Sequence, residues 1–315
     1  MKLGIVGTGK IVQELLPTLK KFDLELFILS TKRSKEKSLR LKEKYDIRKI
    51  YFDYDDMLNS DIDVFYIALP NYLHFEFAKK ALLNNKNIIV EKPMVTSMEE
   101  FDELNDLRKK NNLIMLEAMN IHHLPAFKEL KKHINDIGKI KIANFNYTQY
   151  SSRFDKFKEG IIEPVFDYKK KGGSLMDINI YNIHAAIGLF GDSKKALYFP
   201  NIERNIDTSG IVVLDYGDFK VTLTGSKDAV GYNMGVIEGE EGYIKIDSSI
   251  NEIDGFEICS RNKDTKIYKF NQKERLYYEF EDFIEIIKEK NYEAFEDLLK
   301  ISYNSIKVLD SCKIF

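Results

Sequence analysis

Residues 4–12 read Gly-Ile-Val-Gly-Thr-Gly-Lys-Ile-Val, a short apolar run that ends in glycines and leads into a helical pattern. Gly7 and Gly9 stand where a strand turns into a helix, so the backbone can approach a pyrophosphate and the helix N-terminus can stabilise its charge. Val12 occupies the third glycine position of the usual pattern, and Pro17 lies where it should kink the helix. The turn predicts a dinucleotide site, and the alternative is a tight turn without a ligand.

The surrounding residues, 1–118, alternate short apolar runs with longer helical patterns, which is typical of βαβ units in a covered parallel sheet. The predicted strands are Leu3–Val6, Leu24–Leu29, a strand around Ile50, Val64–Ala68, Ile88–Val90 and Leu113–Leu116. The predicted helices include Ser34–Lys44, His74–Leu83 and Ser97–Lys110. We therefore predict a doubly wound α/β domain over residues 1–118.

After about residue 120, the pattern changes to strands rich in Tyr, Thr and Val that are separated by glycine turns. The predicted strands are Ile140–Tyr150, Ile211–Tyr216, Phe219–Thr224, Met234–Glu238 and Tyr243–Ile246. Two amphipathic helical runs follow, 276–287 and 293–309. We predict an α+β domain over residues 119–315 with a large, mostly antiparallel open sheet.

Composition narrows the class of protein. The 315 residues are 44% hydrophobic and 31% charged, which is typical of a globular chain of about two domains. A formal net charge of −2 argues against nucleic-acid binding by counterion release. The two cysteines form neither a disulfide framework nor a Cys-rich zinc module, and no apolar run reaches membrane length. We expect a cytoplasmic protein with no nucleic-acid or membrane partner.

The end of the second predicted strand bears on the choice of nicotinamide cofactor. An NAD site usually carries a carboxylate there for the ribose hydroxyls. This chain has Ser30-Thr31-Lys32-Arg33 instead. Two cations suit the 2′-phosphate of NADP, so we predict a preference for NADP(H); NAD(H) remains open if an acidic residue reaches the ribose from elsewhere.

Lys92, in Glu91-Lys92-Pro93, follows a predicted buried strand at the sheet edge where open α/β folds bind ligands. A cationic nicotinamide and partial desolvation both disfavour the ammonium form, so the pKa of such a lysine falls and it can exchange a proton with a substrate hydroxyl. The alternative is a surface lysine in a turn.

A second group of reactive side chains follows the glycine pair at 172–173. Asp177, Tyr181 and His184 stand at positions i, i+4 and i+7 of a predicted helix. A regular helix would present their carboxylate, phenol and imidazole on one face. The alternative is a capping aspartate followed by a tyrosine and a histidine of the core.

These motifs, with Leu69-Pro70-Asn71, His74 and Glu117-Ala118, occur in an order and spacing that resembles the glucose-fructose oxidoreductase/inositol dehydrogenase (Gfo/Idh/MocA) family over essentially the whole chain. The resemblance implies a Rossmann domain followed by an α/β domain whose open sheet forms the subunit interface, hence a homodimer or homotetramer. It also implies an NAD(P)-dependent dehydrogenase or reductase that acts on a sugar, polyol or diol.

The resemblance implies roles for individual residues. Lys92 and Tyr181 would act at the substrate hydroxyl or carbonyl, as in the tyrosine-using dihydrodiol dehydrogenases. His184 would support them or serve as the base instead, and Asp177 would orient Lys92 or bind a substrate hydroxyl. The predicted cofactor-binding residues lie at the glycine turn and after the strands that follow it: Gly7, Thr8, Gly9, Lys10, Ile11, Ser30, Thr31, Lys32, Arg33, Leu69, Pro70, Asn71, His74, Glu91 and Lys92.

Two departures from the family pattern concern the substrate: His122 replaces a common arginine, and Asn179 replaces a common glycine. The predicted substrate-side residues are His122, Tyr150 and Arg153. No metal site is predicted, because the adjacent His122 and His123 cannot both face one metal from a regular element.

Two other functions stay open. A glycosidase that retains its dinucleotide would form product without net redox change. A non-catalytic dinucleotide or sugar sensor would bind cofactor without turnover, and the set Lys92, Asp177 and Tyr181 argues against it.

Overall fold

The computed structural model describes residues 1–262 and 264–314. Its strands are β1 (Lys2–Val6), β2 (Glu25–Leu29), β3 (Lys49–Tyr51), β4 (Val64–Ile67), β5 (Asn87–Glu91), β6 (Met115–Ala118), β7 (Ile140–Thr148), β8 (Lys195–Glu203), β9 (Ile206–Asp215), β10 (Lys220–Ser226), β11 (Met234–Gly239), β12 (Gly242–Ile246), β13 (Gly255–Ser260) and β14 (Thr265–Lys269). Its helices are α1 (Lys10–Leu19), α2 (Lys35–Tyr45), α3 (Tyr54–Leu58), α4 (His74–Leu83), α5 (Met98–Lys110), α6 (Pro125–His133), α7 (Phe154–Lys158), α8 (Ile180–Phe190), α9 (Tyr277–Glu289) and α10 (Tyr292–Ser311).

The chain divides into two compact units. The first comprises Met1–Ala118 and Leu276–Lys300, and the second comprises Met119–Arg275 and the described residues from Ile301 onward. The predicted domains, 1–118 and 119–315, differ from these units in one segment, because residues 276–300 pack with the first unit.

The first unit is built on a parallel sheet of order β3-β2-β1-β4-β5-β6, in which all neighbouring strands are parallel. This strand order is that of the doubly wound dinucleotide-binding fold, and the predicted fold class is confirmed. The strand order reverses at β1, so the carboxyl ends of β1, β2 and β4 border the crevice where such sheets bind ligands. All four residues of β4 are buried, which explains why strands of this sheet are continuous apolar stretches in the sequence.

Helix α1 begins directly after the glycine turn, and Gly9 is its N-cap. Pro17 lies inside α1, which continues through it to Leu19. Helix α5 begins after Ser97, the first residue of the predicted helix Ser97–Lys110, and the Ser97 hydroxyl caps it by accepting a hydrogen bond from the Glu100 amide.

Residues 276–300 supply the contacts that hold them in the first unit. The Phe280 ring packs edge-on against Tyr66 of β4, with 5.3 Å between the centroids. Arg108 of α5 forms a two-pronged ion pair with Glu296, at 2.6 and 3.1 Å. Helical periodicity indicated an amphipathic helix here, but it does not identify the surface that the apolar face covers.

The second unit is built on a sheet of order β14-β13-β12-β11-β7-β10-β9-β8. Strands β7 and β10 are parallel, and every other neighbouring pair is antiparallel, as the sequence predicts. Helix α8 packs on one face of β7 and β10. The opposite face carries exposed apolar side chains from five strands: Ile142 of β7, Leu197 and Phe199 of β8, Ile211 of β9, Tyr243 of β12 and Ile267 of β14.

Strands β8, β13 and β14 and helix α6 were not predicted. Strand β8 contains Pro200, and it is an edge strand, where a missing backbone N–H is tolerated. Among the described residues, no helix combines the length and the apolar character needed to cross a membrane.

Candidate functional site

The two glycines of the turn, Gly7 and Gly9, differ in backbone conformation and in the space around them. Gly7 has φ = +120°, and a Cβ added there would lie 2.6 Å from the carbonyl oxygen of Ala68. The fold therefore requires glycine at position 7. A Cβ added at Gly9 would meet no atom of the described residues within 4 Å. The space beside Gly9 at the start of α1 suits close approach of a pyrophosphate.

The residues after β2 divide into a buried and an exposed part. Ser30 is buried, and its hydroxyl donates to the Thr31 carbonyl at 3.3 Å. The Thr31 hydroxyl accepts from the Ser34 amide and caps the short helical turn at 32–34. Lys32 and Arg33 are exposed, and neither makes an ion pair with any described residue. Of the four predicted residues, these two have charge available for a phosphate.

The loops after β4 and β5 are joined by a buried histidine. His74 is fully buried, with Nε2 2.7 Å from the Leu69 carbonyl oxygen and Nδ1 2.8 Å from that of Pro93. Pro70 and Asn71 lie between Leu69 and α4, at the start of a short helical turn. His74 thus connects two loops at the ligand edge of the sheet.

Lys92 follows β5 directly and is half-buried. Its neighbours are held on both sides. The Tyr66 hydroxyl donates to Glu91, and the Met94 amide donates to Glu117 Oε1 at 2.8 Å. These contacts fix the backbone around Lys92 at the carboxyl end of β5, where the sequence places it.

The second unit holds the other predicted catalytic residues, but not on one regular helix. Leu175–Asn179 forms a π-helical turn before α8, so Asp177 and Tyr181 belong to different helix types. A π turn holds one more residue per hydrogen bond than an α turn, and such turns recur at functional sites. The prediction of one regular helix through Asp177 is therefore wrong, whereas the shared face of Asp177, Tyr181 and His184 stays a prediction. Asn179 in this turn packs against Gly225 and donates to the Leu223 carbonyl at 3.0 Å.

Tyr181 and His184 lie on α8, whose ten residues from Ile180 to Leu189 are all buried. The Tyr181 ring packs edge-on against Tyr147 of β7, with 5.8 Å between the centroids. His184 Nδ1 lies 3.2 Å from His122 Nε2, so one ring donates and the other accepts. Burial, reinforced by His184, lowers the pKa of His122 well below its usual range. His122 is therefore neutral near pH 7.

Asp177 contacts a residue that the sequence reasoning missed. Lys227 follows β10, and its Nζ lies 2.6 Å from Asp177 Oδ2. In sequence, Lys227 stands in Gly-Ser-Lys-Asp after a strand, a context typical of an exposed turn. No motif distinguished it.

The two remaining substrate-side candidates form local surface pairs. The Tyr150 hydroxyl donates to Asp155 Oδ1 at 2.7 Å, and Arg153 Nε lies 2.8 Å from Glu163 Oε2. Their substrate roles stay predictions. Among the described residues, no group of three or more His, Cys, Asp or Glu side chains has the arrangement of a metal site.

The sequence of this chain matches a protein-family model and a characterised relative. Residues 1–119 match a family model described as "Oxidoreductase family, NAD-binding Rossmann fold". The chain is 34% identical to the scyllo-inositol 2-dehydrogenase (NADP(+)) IolU of Bacillus subtilis, over 99% of this chain and 96% of that protein.

Two solved structures have the same fold at low sequence identity. One is KijD10, a 3-ketoreductase from Actinomadura kijaniata in complex with TDP-benzene and NADP, with a TM-score of 0.83, 20% identity and coverage of 100% of this chain and 97% of that one. The other is a levoglucosan dehydrogenase in complex with NADH and levoglucosan, with a TM-score of 0.84, 19% identity and coverage of 99% and 97%.

Proposed function

Because the chain belongs to the glucose-fructose oxidoreductase/inositol dehydrogenase (Gfo/Idh/MocA) family, we propose that it transfers hydride between NADP(H) and a secondary hydroxyl or keto group of a cyclic polyol or sugar. It is an NAD(P)-dependent dehydrogenase or reductase. The observation that carries the finer proposal is the full-length similarity to an NADP+-dependent scyllo-inositol dehydrogenase.

The first unit fits a nicotinamide dinucleotide. The open space at Gly9 leaves the α1 N-terminus accessible to a pyrophosphate, and Lys32 and Arg33 are exposed after β2. The bound nicotinamide supplies the carbon that accepts or donates the hydride. The chain supplies binding, orientation and proton transfer.

Proton transfer is assigned to Lys92 and Tyr181. When the substrate is oxidised, its C–H electron pair leaves as hydride and its O–H proton passes to Lys92; reduction reverses both transfers. Tyr181 hydrogen-bonds the reacting oxygen. His184, which shares a hydrogen bond with neutral His122, supports these two residues. These roles are proposals.

The cofactor preference is tested at Arg33. Arg33→Ala is expected to raise the Kd for NADPH roughly 10- to 100-fold, because one charge-assisted contact with the 2′-phosphate is lost. The Kd for NADH should not change. Both constants are measured by nucleotide fluorescence, against a low protein background because the chain has no Trp.

Lys35→Ala is the matched control, since Lys35 is an exposed cation in the first turn of α2. It should bind both nucleotides like the wild type. Equal binding of NADPH and NADH by the wild type would contradict the preference.

We further propose that the protein is a homo-oligomer through the open face of the second sheet. Phe199, 59% exposed, pairs across β8 and β9 with exposed Ile211, and exposed Leu197 lies two residues before Phe199 on the same face. A cluster of exposed apolar side chains on one sheet face is typical of a protein interface. Light scattering should give a mass of at least two subunits, and Phe199→Asp should reduce it to one.

Ile161→Asp is the control for oligomer formation, because Ile161 is similarly exposed but lies outside the sheet. Its mass should equal that of the wild type. A monomeric wild type at micromolar concentration would overturn the proposal.

A further inference from the structure

Lys227 is a buried lysine in the second unit. Only 2% of its side chain is exposed. The backbone at this residue is fixed on both sides: its amide donates to the Thr208 carbonyl at 2.8 Å, and its carbonyl accepts from the Ser151 amide at 2.9 Å. The side chain therefore has a defined direction.

The ammonium group of Lys227 contacts a carboxylate, a backbone carbonyl and an aromatic ring. Nζ lies 2.6 Å from Asp177 Oδ2 and 3.3 Å from the Val165 carbonyl oxygen, and it lies over the Phe166 ring at 4.8 Å from the centroid. The short distance to a carboxylate and the aromatic face both stabilise the charged form in a buried place.

A buried carboxylate, that of Asp207, holds the start of the π turn. Asp207 Oδ2 accepts from the Leu175 amide at 2.6 Å and from the Tyr198 hydroxyl at 2.7 Å. Gly173 lies so close that a Cβ there would collide with Asp207 Oδ1. The backbone on the N-terminal side of Asp177 is thus held by Asp207.

The exposure of the Lys227–Asp177 pair is unequal. Lys227 is buried, whereas 36% of the Asp177 side chain is exposed. A buried ion pair is a poor source of stability compared with an apolar pair of the same volume. Its distinct property is that the cation contacts one oxygen of the carboxylate, Oδ2, and so fixes the orientation of a side chain that is partly exposed.

We propose that Lys227 is a positioning residue, which holds Asp177 as an oriented carboxylate that accepts a hydrogen bond from a substrate hydroxyl. The inference rests on the proposed function. A carboxylate fixed from its buried side is an acceptor only, so it selects substrates that present a hydroxyl hydrogen at this point.

Lys227→Met tests this role, because it keeps the apolar stem and removes the charge. We expect kcat/KM for the polyol to fall roughly 10- to 100-fold, with the change mainly in KM and with NADPH affinity unchanged. Lys227→Arg should restore most of the loss. Tyr216→Phe is the control: it removes a hydroxyl of the same unit that donates to the Gly191 carbonyl and contacts neither Lys227 nor Asp177, and it should keep wild-type kinetics.

A double-variant cycle separates positioning from general packing. If Lys227 acts through Asp177, Lys227→Met should add little to the kinetic loss of Asp177→Asn. The double variant also removes the unpaired buried charge that Asp177→Asn creates, so it is expected to be the better folded of the two.

Wild-type kinetics for Lys227→Met, or an undiminished effect of that substitution in the Asp177→Asn background, would overturn the inference and leave the proposed function standing. A wild-type protein that oxidises no polyol or sugar with NADP+ and reduces no matching ketone with NADPH would overturn both.

Discussion

Tyr181→Phe is expected to lower kcat by roughly 10²- to 10⁴-fold, because it removes the hydroxyl assigned to the reacting oxygen. The Tyr181 ring is buried against Tyr147, and phenylalanine keeps that packing. The Kd for NADPH and the melting temperature should therefore stay close to wild type. Steady-state turnover measures the loss of kcat, and nucleotide fluorescence measures the Kd for NADPH.

Tyr216→Phe is the matched control. Its hydroxyl donates to the Gly191 carbonyl at 3.1 Å. The substitution should cost about 1 kcal/mol of stability without lowering kcat. If Tyr181→Phe retains kcat within a factor of about two while His184→Gln loses it, His184 and not Tyr181 acts at the reacting oxygen, and the assignment to Tyr181 is wrong.

Gly9→Ala is expected to weaken NADPH binding at least roughly tenfold while leaving the fold intact. The added methyl group meets no described atom, so the expected change in unfolding free energy is within about 1 kcal/mol. It does occupy the space through which the backbone approaches a pyrophosphate. Fluorescence titration and chemical denaturation report the two effects separately.

Gly7→Ala is the informative comparison for Gly9→Ala. A methyl group at Gly7 would lie 2.6 Å from the Ala68 carbonyl oxygen at φ = +120°, so we expect a loss of roughly 2–4 kcal/mol of stability. Nucleotide binding by Gly9→Ala at wild-type affinity would contradict the assignment of this turn to the dinucleotide.

The sequence predicted most of the first unit because local patterns determine it. The glycine turn, the buried run of β4 and the cap at Ser97 each require a particular residue type within a few positions. The strand order then follows the usual doubly wound arrangement.

The features that the sequence did not predict depend on contacts between distant residues. The packing of Phe280 against Tyr66 places residues 276–300 in the first unit, and periodicity carries no information about that partner. The π turn packs against a strand that is distant in sequence, with Asn179 in contact with Gly225. Lys227 was missed because its burial arises from residues far away in sequence, above all Asp177 and Phe166.

The most direct test of hydride transfer is the formation of reduced nicotinamide by the purified protein, with NADP+ or NAD+, against a panel of inositols and sugars that includes scyllo-inositol. We predict turnover with at least one cyclic polyol, a higher kcat/KM with NADP+ than with NAD+, and loss of turnover in Tyr181→Phe. A protein that binds NADPH but reduces no nicotinamide with any member of the panel, and oxidises no NADPH with the matching ketones, would contradict the account.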